Sequence, residues 1–183
     1  GDILRVDAVA GEATSLVVSW FGDDLRCGEC TIKPKVEKKD YEGVNMPWSV
    51  TGVTRGSAEA MALDDGRPIY GGTPTDQSVI EAINTIHAGG KKVMFYPFIL
   101  MDQLADNILP DPYSVDDFQA RLPWRGRITL SVAPGVSGSP DGTADAEAEV
   151  EAFFGTAQAT DFTVTNDSVA YSGPDEWSLS RFV

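Results

Sequence analysis

Residues 66–102 read GRPIYGGTPTDQSVIEAINTIHAGGKKVMFYPFILMD, and this stretch decides the fold class. Pro68-Ile69-Tyr70 is predicted as a short strand running into the turn Gly71-Gly72-Thr73-Pro74. Thr75 or Asp76 suits a helix cap, because a short side-chain oxygen can accept from the first unpaired backbone N–H groups. Val79, Ile80, Ile83, Ile86 and His87 then fall on one face at helical spacing. Gly89-Gly90 ends the helix. Lys92 to Leu100 is a nearly unbroken apolar run, the pattern of a parallel strand buried on both faces. Asp102 stands just past its C-terminal end. Parallel α/β folds gather their chemistry at the C-terminal ends of strands, so the unit predicts both an α/β fold and the place of a site.

Upstream, Ser15 to Phe21 (SLVVSWF) is a second strong strand, ending at Gly22-Asp23-Asp24 and again placing carboxylates past a strand. Residues 1–14 are weakly patterned and are assigned to an upstream domain. Residues 25–65 are loop-rich and charged. The four lysines between Lys33 and Lys39 are read as a solvated turn, Trp48 to Val53 as a short exposed strand and residues 57–63 (SAEAMAL) as a short helix. Downstream, Pro110, Pro112, Pro123 and four aspartates between 106 and 117 forbid a continuous helix or central strand. So long a loop after a buried strand is expected to act as a lid or binding loop. Arg127 to Val132 (RITLSV) is predicted as a third strand. Asp141 to Phe154 is predicted as a helix with Ala144, Ala148, Val150 and Phe154 inward. Asp161 to Thr165 and Ser168 to Tyr171 are predicted to form a hairpin or two edge strands, and Trp177 onward to begin a helix.

Composition narrows the function. The 183 residues suffice for one domain with a sizeable core, whereas a closed eight-fold β/α barrel takes about 250. A formal net charge of −14 repels phosphate backbones and anionic lipids. Nucleic acid is therefore not an expected partner, while neutral polysaccharide or a cationic protein fits. No run approaches the roughly 18 apolar residues of a membrane span, and the first residues lack the basic-then-apolar order of a signal peptide. No cofactor is expected. Cys27 and Cys30, in Cys-Gly-Glu-Cys, are read as a local disulfide or two loop thiols. A structural zinc site needs four ligands, His87 is the one histidine, and Lys33-Pro34-Lys35 downstream argues against the helix that a redox pair opens.

Several blocks carry a resemblance: Ser15–Glu37, Arg67–Thr75 (RPIYGGTPT), Val93–Asp102 (VMFYPFILMD), Leu109–Tyr113 (LPDPY), Pro123–Thr129 (PWRGRIT) and Gly173–Phe182 (GPDEWSLSRF). Together they resemble the TIM-barrel-like, glycoside-hydrolase-related domain of the large tail-tip ("megatron") protein of gene transfer agents and related alphaproteobacterial siphophages. The resemblance implies that residues 15–183 form the N-terminal half of such a domain, an incomplete barrel of parallel strands with crossover helices. It implies a structural part of a virion tail tip or baseplate, three-fold in assembly, meeting other tail-tip proteins and the host's surface polysaccharide or peptidoglycan. It also leaves two other readings: a glycoside hydrolase, whose strongest catalytic glutamate would lie in βα units beyond this stretch, and a non-catalytic carbohydrate-binding module.

Glycoside hydrolysis normally takes two carboxyl groups, about 5–5.5 Å apart for retention or about 6.5–9.5 Å for inversion. Asp23, Asp24 and Asp102 are the catalytic candidates because each follows a strand end; the plainer reading is that they cap or stay solvated. Trp48, Tyr96 and Trp124 are the aromatics offered for stacking on sugar rings, with Arg125 beside them to pair a carboxylate. Trp20 and Tyr96 lie in strand runs, which also suits core packing. His87 is read as structural. Gly71-Gly72-Thr73 lacks the spacing and lysine of a phosphate loop and is read as a tight turn.

Overall fold

The structure, a computed structural model, describes residues 11–183. The chain begins with strands β1 (Ala13–Gly22), β2 (Ile32–Lys33), β3 (Lys35–Val36), β4 (Ser49–Val50), β5 (Val53–Thr54), β6 (Glu59–Ala60), β7 (Leu63–Asp64) and β8 (Arg67–Pro68). Helix α1 (Asp76–Ala88) and strand β9 (Lys92–Met101) follow. Helix α2 (Ala144–Phe154), strands β10 (Phe162–Val164) and β11 (Val169–Tyr171) and the short helix α3 (Leu179–Phe182) complete the order. Most of the segment assigned to an upstream domain, residues 1–10, lies outside the described residues. β1 begins at Ala13, two residues before the strand expected from Ser15.

The centre of the molecule is one parallel pair. β1 and β9 run side by side without a bulge from Ala13↔Lys92 to Gly22↔Met101. α1 leads into β9 and packs on both strands, and β2 pairs antiparallel with the far edge of β1. Trp20 and Val18 on one face of β1 meet Ile32, Val36, Trp48, Val50 and Phe182 in the main core, with Val79 of α1 and Trp177 against them. Burying a large apolar side chain of this kind contributes about 1.5–3 kcal/mol.

The TIM-barrel-like expectation is overturned. Beyond the sheet β2–β1–β9, the strands form four separate two-stranded pairs, and no barrel closes among the described residues. The architecture is mixed, with small sheets and few helices. A barrel needs long strands paired on both edges, whereas β2 to β8 are two residues each and β9 has one edge unpaired among the described residues. The predicted strand at Pro68 to Tyr70 is instead β8, the second arm of an antiparallel hairpin with β7; the parallel partner of β9 is β1. Arg127 to Val132 is not a strand. It carries a 3-10 turn at Arg125–Arg127 and touches residues 25–27 through a single bridge, Cys27 N–H to Thr129 O at 2.6 Å and Thr129 N–H to Leu25 O at 2.8 Å.

Other differences are smaller. Residues 57–63 hold β6 rather than a helix. Trp48 to Thr54 is a tight hairpin with Trp48 and Val50 buried, not an exposed strand. α2 starts at Ala144 and turns Ala146 inward with Phe153 beside it, leaving Val150 and Phe154 exposed. β9 is not buried on both faces: Met94 is 61% and Tyr96 45% exposed. Of the two expected arrangements the hairpin β10–β11 forms, with Phe162 opposite Tyr171. The long stretch after β9 is irregular, as the prolines require, but it packs down as a plug. Gln119, fully buried, accepts Leu25 N–H at 2.9 Å and donates to Asp24 Oδ1 at 2.7 Å and Pro110 O at 3.1 Å. Asn107 ties the loop to itself through Gln119 N–H at 2.9 Å and Gln119 O at 2.8 Å.

Candidate functional site

Parallel pairing in register brings the C-terminal ends of β1 and β9 together, and the Asp102 N–H donates to Gly22 O at 3.2 Å. Asp23, Asp24 and Asp102 therefore gather at one end of the sheet, as their sequence positions predict. Asp23 accepts the Thr31 N–H at 2.7 Å and the Thr31 hydroxyl at 2.5 Å, one on each oxygen. Asp24 is buried and turns toward Arg26, whose Nη2 donates to Oδ2 at 2.6 Å and Nε to Oδ1 at 3.1 Å. The Arg26 guanidinium is held above its usual pKa, first by its hydrogen bond to Asp24.

Asp102 pairs with Lys35 Nζ at 2.7 Å, both groups being buried. Glu59 stands 3.4 Å from the same ammonium and 2.5 Å from Lys33. Burial is the largest influence on Lys35 and opposes its charge, yet Asp102, Glu59 and Asp23 together hold its pKa above the ordinary value. Burial raises the Asp102 carboxyl; Lys35 offsets part of that, and Asp23 and Glu59 add to the rise. Both directions share a cause beyond burial: several carboxylates crowd one ammonium, so protons are retained on both partners. Lys35 is itself fixed by backbone bonds with Thr73, whose N–H donates to Lys35 O at 2.8 Å and whose hydroxyl donates to Ser19 O at 2.9 Å.

The arrangement is chiefly structural. Both oxygens of Asp23 and of Asp24 accept from the chain, while Asp102 keeps Oδ1 without a hydrogen bond among the described residues. A hydrolytic pair needs one protonated acid and a second carboxylate free to attack or activate water; here the second is engaged by Thr31 or Arg26. Among the described residues no group of three or more His, Cys, Asp or Glu side chains is placed to hold a metal, and no helix is long and apolar enough to cross a membrane.

The aromatic candidates separate. Trp48 is buried and its indole N–H donates to Thr73 O at 2.7 Å, so it presents no face to a ligand. Trp20 packs against Phe182 with ring centres 5.2 Å apart. Tyr96 is half exposed beside Phe98, and Arg125 lies over the Phe98 ring at 3.8 Å. Trp124 is 66% exposed. His87 is exposed in the last turn of α1. Cys27 and Cys30 are free, buried thiols; burial pushes Cys30 up to about 12, which suppresses the thiolate that redox chemistry needs.

No protein-family model matches the chain, and no curated protein matches it either.

Sequence reasoning missed Lys35 and Gln119. Lys35 falls in the stretch read as a solvated lysine turn, yet it lies within Ile32-Lys33-Pro34-Lys35-Val36, where Ile32, Pro34 and Val36 are all buried. A lysine flanked by two apolar neighbours was the available clue. Gln119 carries no local pattern; its partners Asp24 and Leu25, just past the end of β1, lie 95 and 94 residues away along the chain.

Proposed function

We propose that this chain is a structural module of a tail tip or baseplate, of phage or gene-transfer-agent type, which meets neighbouring tail-tip subunits and the host envelope by contact rather than catalysis. The observation that carries this is the state of the three strand-end aspartates: each is tied to a donor of the chain itself, and together they knot β1, β3, β9 and the plug around Gln119. The tail-tip assignment rests on the sequence blocks quoted above. The exposed apolar side chains Val17, Met94, Tyr96 and Trp124 suit contact with other proteins, and the net charge of −14 favours basic neighbours over nucleic acid. A three-fold assembly belongs to the same proposal.

The hydrolase reading has one observation in its favour, the raised proton affinity of Asp102 together with its unbonded Oδ1. The carbohydrate-binding reading has the exposed ring of Trp124. Antibody labelling of purified particles tests the leading proposal. Decoration confined to the tail tip is the expected result. Labelling elsewhere on the particle, or a protein that does not travel with particles, overturns it.

A further inference from the structure

A groove of about 480 Å³ opens between β1, α1, the β10–β11 hairpin and α3. Its walls are apolar, chiefly Trp20, Ile80, Ile83, Phe95 and Phe162. Asp76, the first residue of α1, belongs to the same lining. Its carboxyl sits among groove residues. Oδ2 accepts the Thr51 N–H at 2.8 Å, the Val169 amide acts on the same group, and both Thr51 and Val169 line the groove. None of the ion pairs among the described residues involves Asp76. The cation of the lining, Arg181, is turned elsewhere: its guanidinium lies on the Trp177 and Tyr171 rings and donates to Glu176 O at 2.9 Å, and none of these three residues lines the groove. Asp175 and Glu176 supply it with negative charge.

A carboxylate withdrawn from water is costly unless a cation or enough donors meet it. Two backbone amides meet this one in part, yet burial outweighs them and raises its pKa to about 6. A carboxyl so perturbed in a cleft is a candidate functional group. Beside it the Thr51 hydroxyl is buried without a partner, on a residue held at φ 46°; backbone strain of this kind collects at ligand clamps. The groove thus joins long apolar walls to two oxygen-bearing side chains, Asp76 and Thr51, which no side-chain donor among the described residues satisfies. A few convergent polar groups in an apolar concavity are the usual make-up of a small-molecule site.

We propose that this groove binds a small amphipathic ammonium, its head group on the Asp76 carboxylate and the Thr51 hydroxyl and its apolar body along α1 and Phe95. An ammonium brings three donors and no acceptor, which matches a carboxylate without a counter-charge beside an unpaired hydroxyl oxygen. The apolar walls specify an aliphatic or aromatic body rather than a sugar. The net charge of −14 draws cations to the molecule and repels carboxylates. The site stands apart from the strand-end cluster and does not depend on the tail-tip reading.

Calorimetric titration of the full chain with octylammonium, octanol and octanoate tests it, at about pH 8, where Asp76 is ionised, and about 0.15 M salt, which screens the general surface charge. Octylammonium is expected to bind with a dissociation constant of about 0.1–1 mM, and the neutral alcohol and the carboxylate at least about tenfold more weakly. Asp76→Asn removes the preference for octylammonium over octanol. Should circular dichroism show that variant unfolded, Ile83→Trp narrows the groove two turns along α1 from Asp76 and is expected to weaken octylammonium binding at least about tenfold. Equal affinity for octylammonium and octanol, unaltered octylammonium binding by either folded variant, or no binding up to about 5 mM overturns the proposal.

Discussion

Thr51 sits at φ 46° in the turn between β4 and β5, with Gly52 at φ 83° after it. A β-branched residue in the left-handed region is strained, and the turn tolerates it because Thr51 N–H is held by Asp76. Its hydroxyl is also buried without a partner. Thr51→Gly relieves the strain and removes the orphan oxygen. The expected result is a gain of about 1 kcal/mol, read as a melting temperature higher by roughly 2–4 °C; a lower melting temperature speaks against strain at this position. At the strand ends the opposite holds. Asp102→Asn leaves Lys35 buried with Glu59, at 3.4 Å, and the more weakly acting Asp23 as its charged partners. Breaking a buried pair from one side costs about 3 kcal/mol, so the melting temperature is expected to fall by roughly 6–12 °C. The double change Lys35→Met with Asp102→Leu is expected to recover most of that loss, because it removes the stranded charge along with the pair. Equal loss in the single and double variants contradicts a buried-charge origin.

At the scale of elements, β9 shows how one residue shapes an edge. Lys92 and Asp102 donate their amides across to Glu12 and Gly22. By the two-residue alternation of an unbulged ladder, residues 94, 96, 98 and 100 point their amides the same way, and Pro97 occupies a position whose amide would face outward. The missing donor leaves the pairing with β1 intact and interrupts the open edge, a recognised means of discouraging further strand addition. Pro97→Val restores a continuous row of outward donors. Light scattering is expected to show concentration-dependent association beyond that of the parent; a variant that associates no further than the parent removes this role from Pro97. β1, α1, β9 and the β10–β11 hairpin were legible in the sequence because each carries its own periodicity over several residues. The two-residue strands were not, since β3 exists only by pairing with β6 and β4 only by closing on β5. The barrel expectation failed for the same reason: one parallel strand–helix–strand unit is compatible with many sheets, and nothing local says that the open edge of β9 stays unpaired. Of the site, the three aspartates were legible from their places after strands. Their partners Lys35, Thr31 and Gln119 were not, because burial of a polar residue is decided by what the chain folds over it.

For the whole molecule, the charge of −14 means that compaction works against self-repulsion, and Asp76 adds to this. Burial pushes its pKa from 3.8 up to about 6, against the opposing pull of the Thr51 and Val169 amides. The folded protein therefore holds this proton more tightly than the unfolded chain does. Its contribution falls as pH climbs from about 4 to about 6 and is level above that. Solvent screening reduces the effect to about 1 kcal/mol. Asp76→Asn is accordingly expected to melt higher than the parent at pH 7 and alongside it near pH 4; the reverse order places the charge, not the proton, as the favoured state. In the proposal above, the carboxylates at the strand ends hold this molecule together rather than cleave glycans. Incubating purified peptidoglycan with the full chain and with Asp102→Asn, and measuring the reducing ends released, tests that claim most directly. No release above buffer is expected from either protein. Release by the parent that disappears in an Asp102→Asn variant of unchanged melting temperature would contradict it.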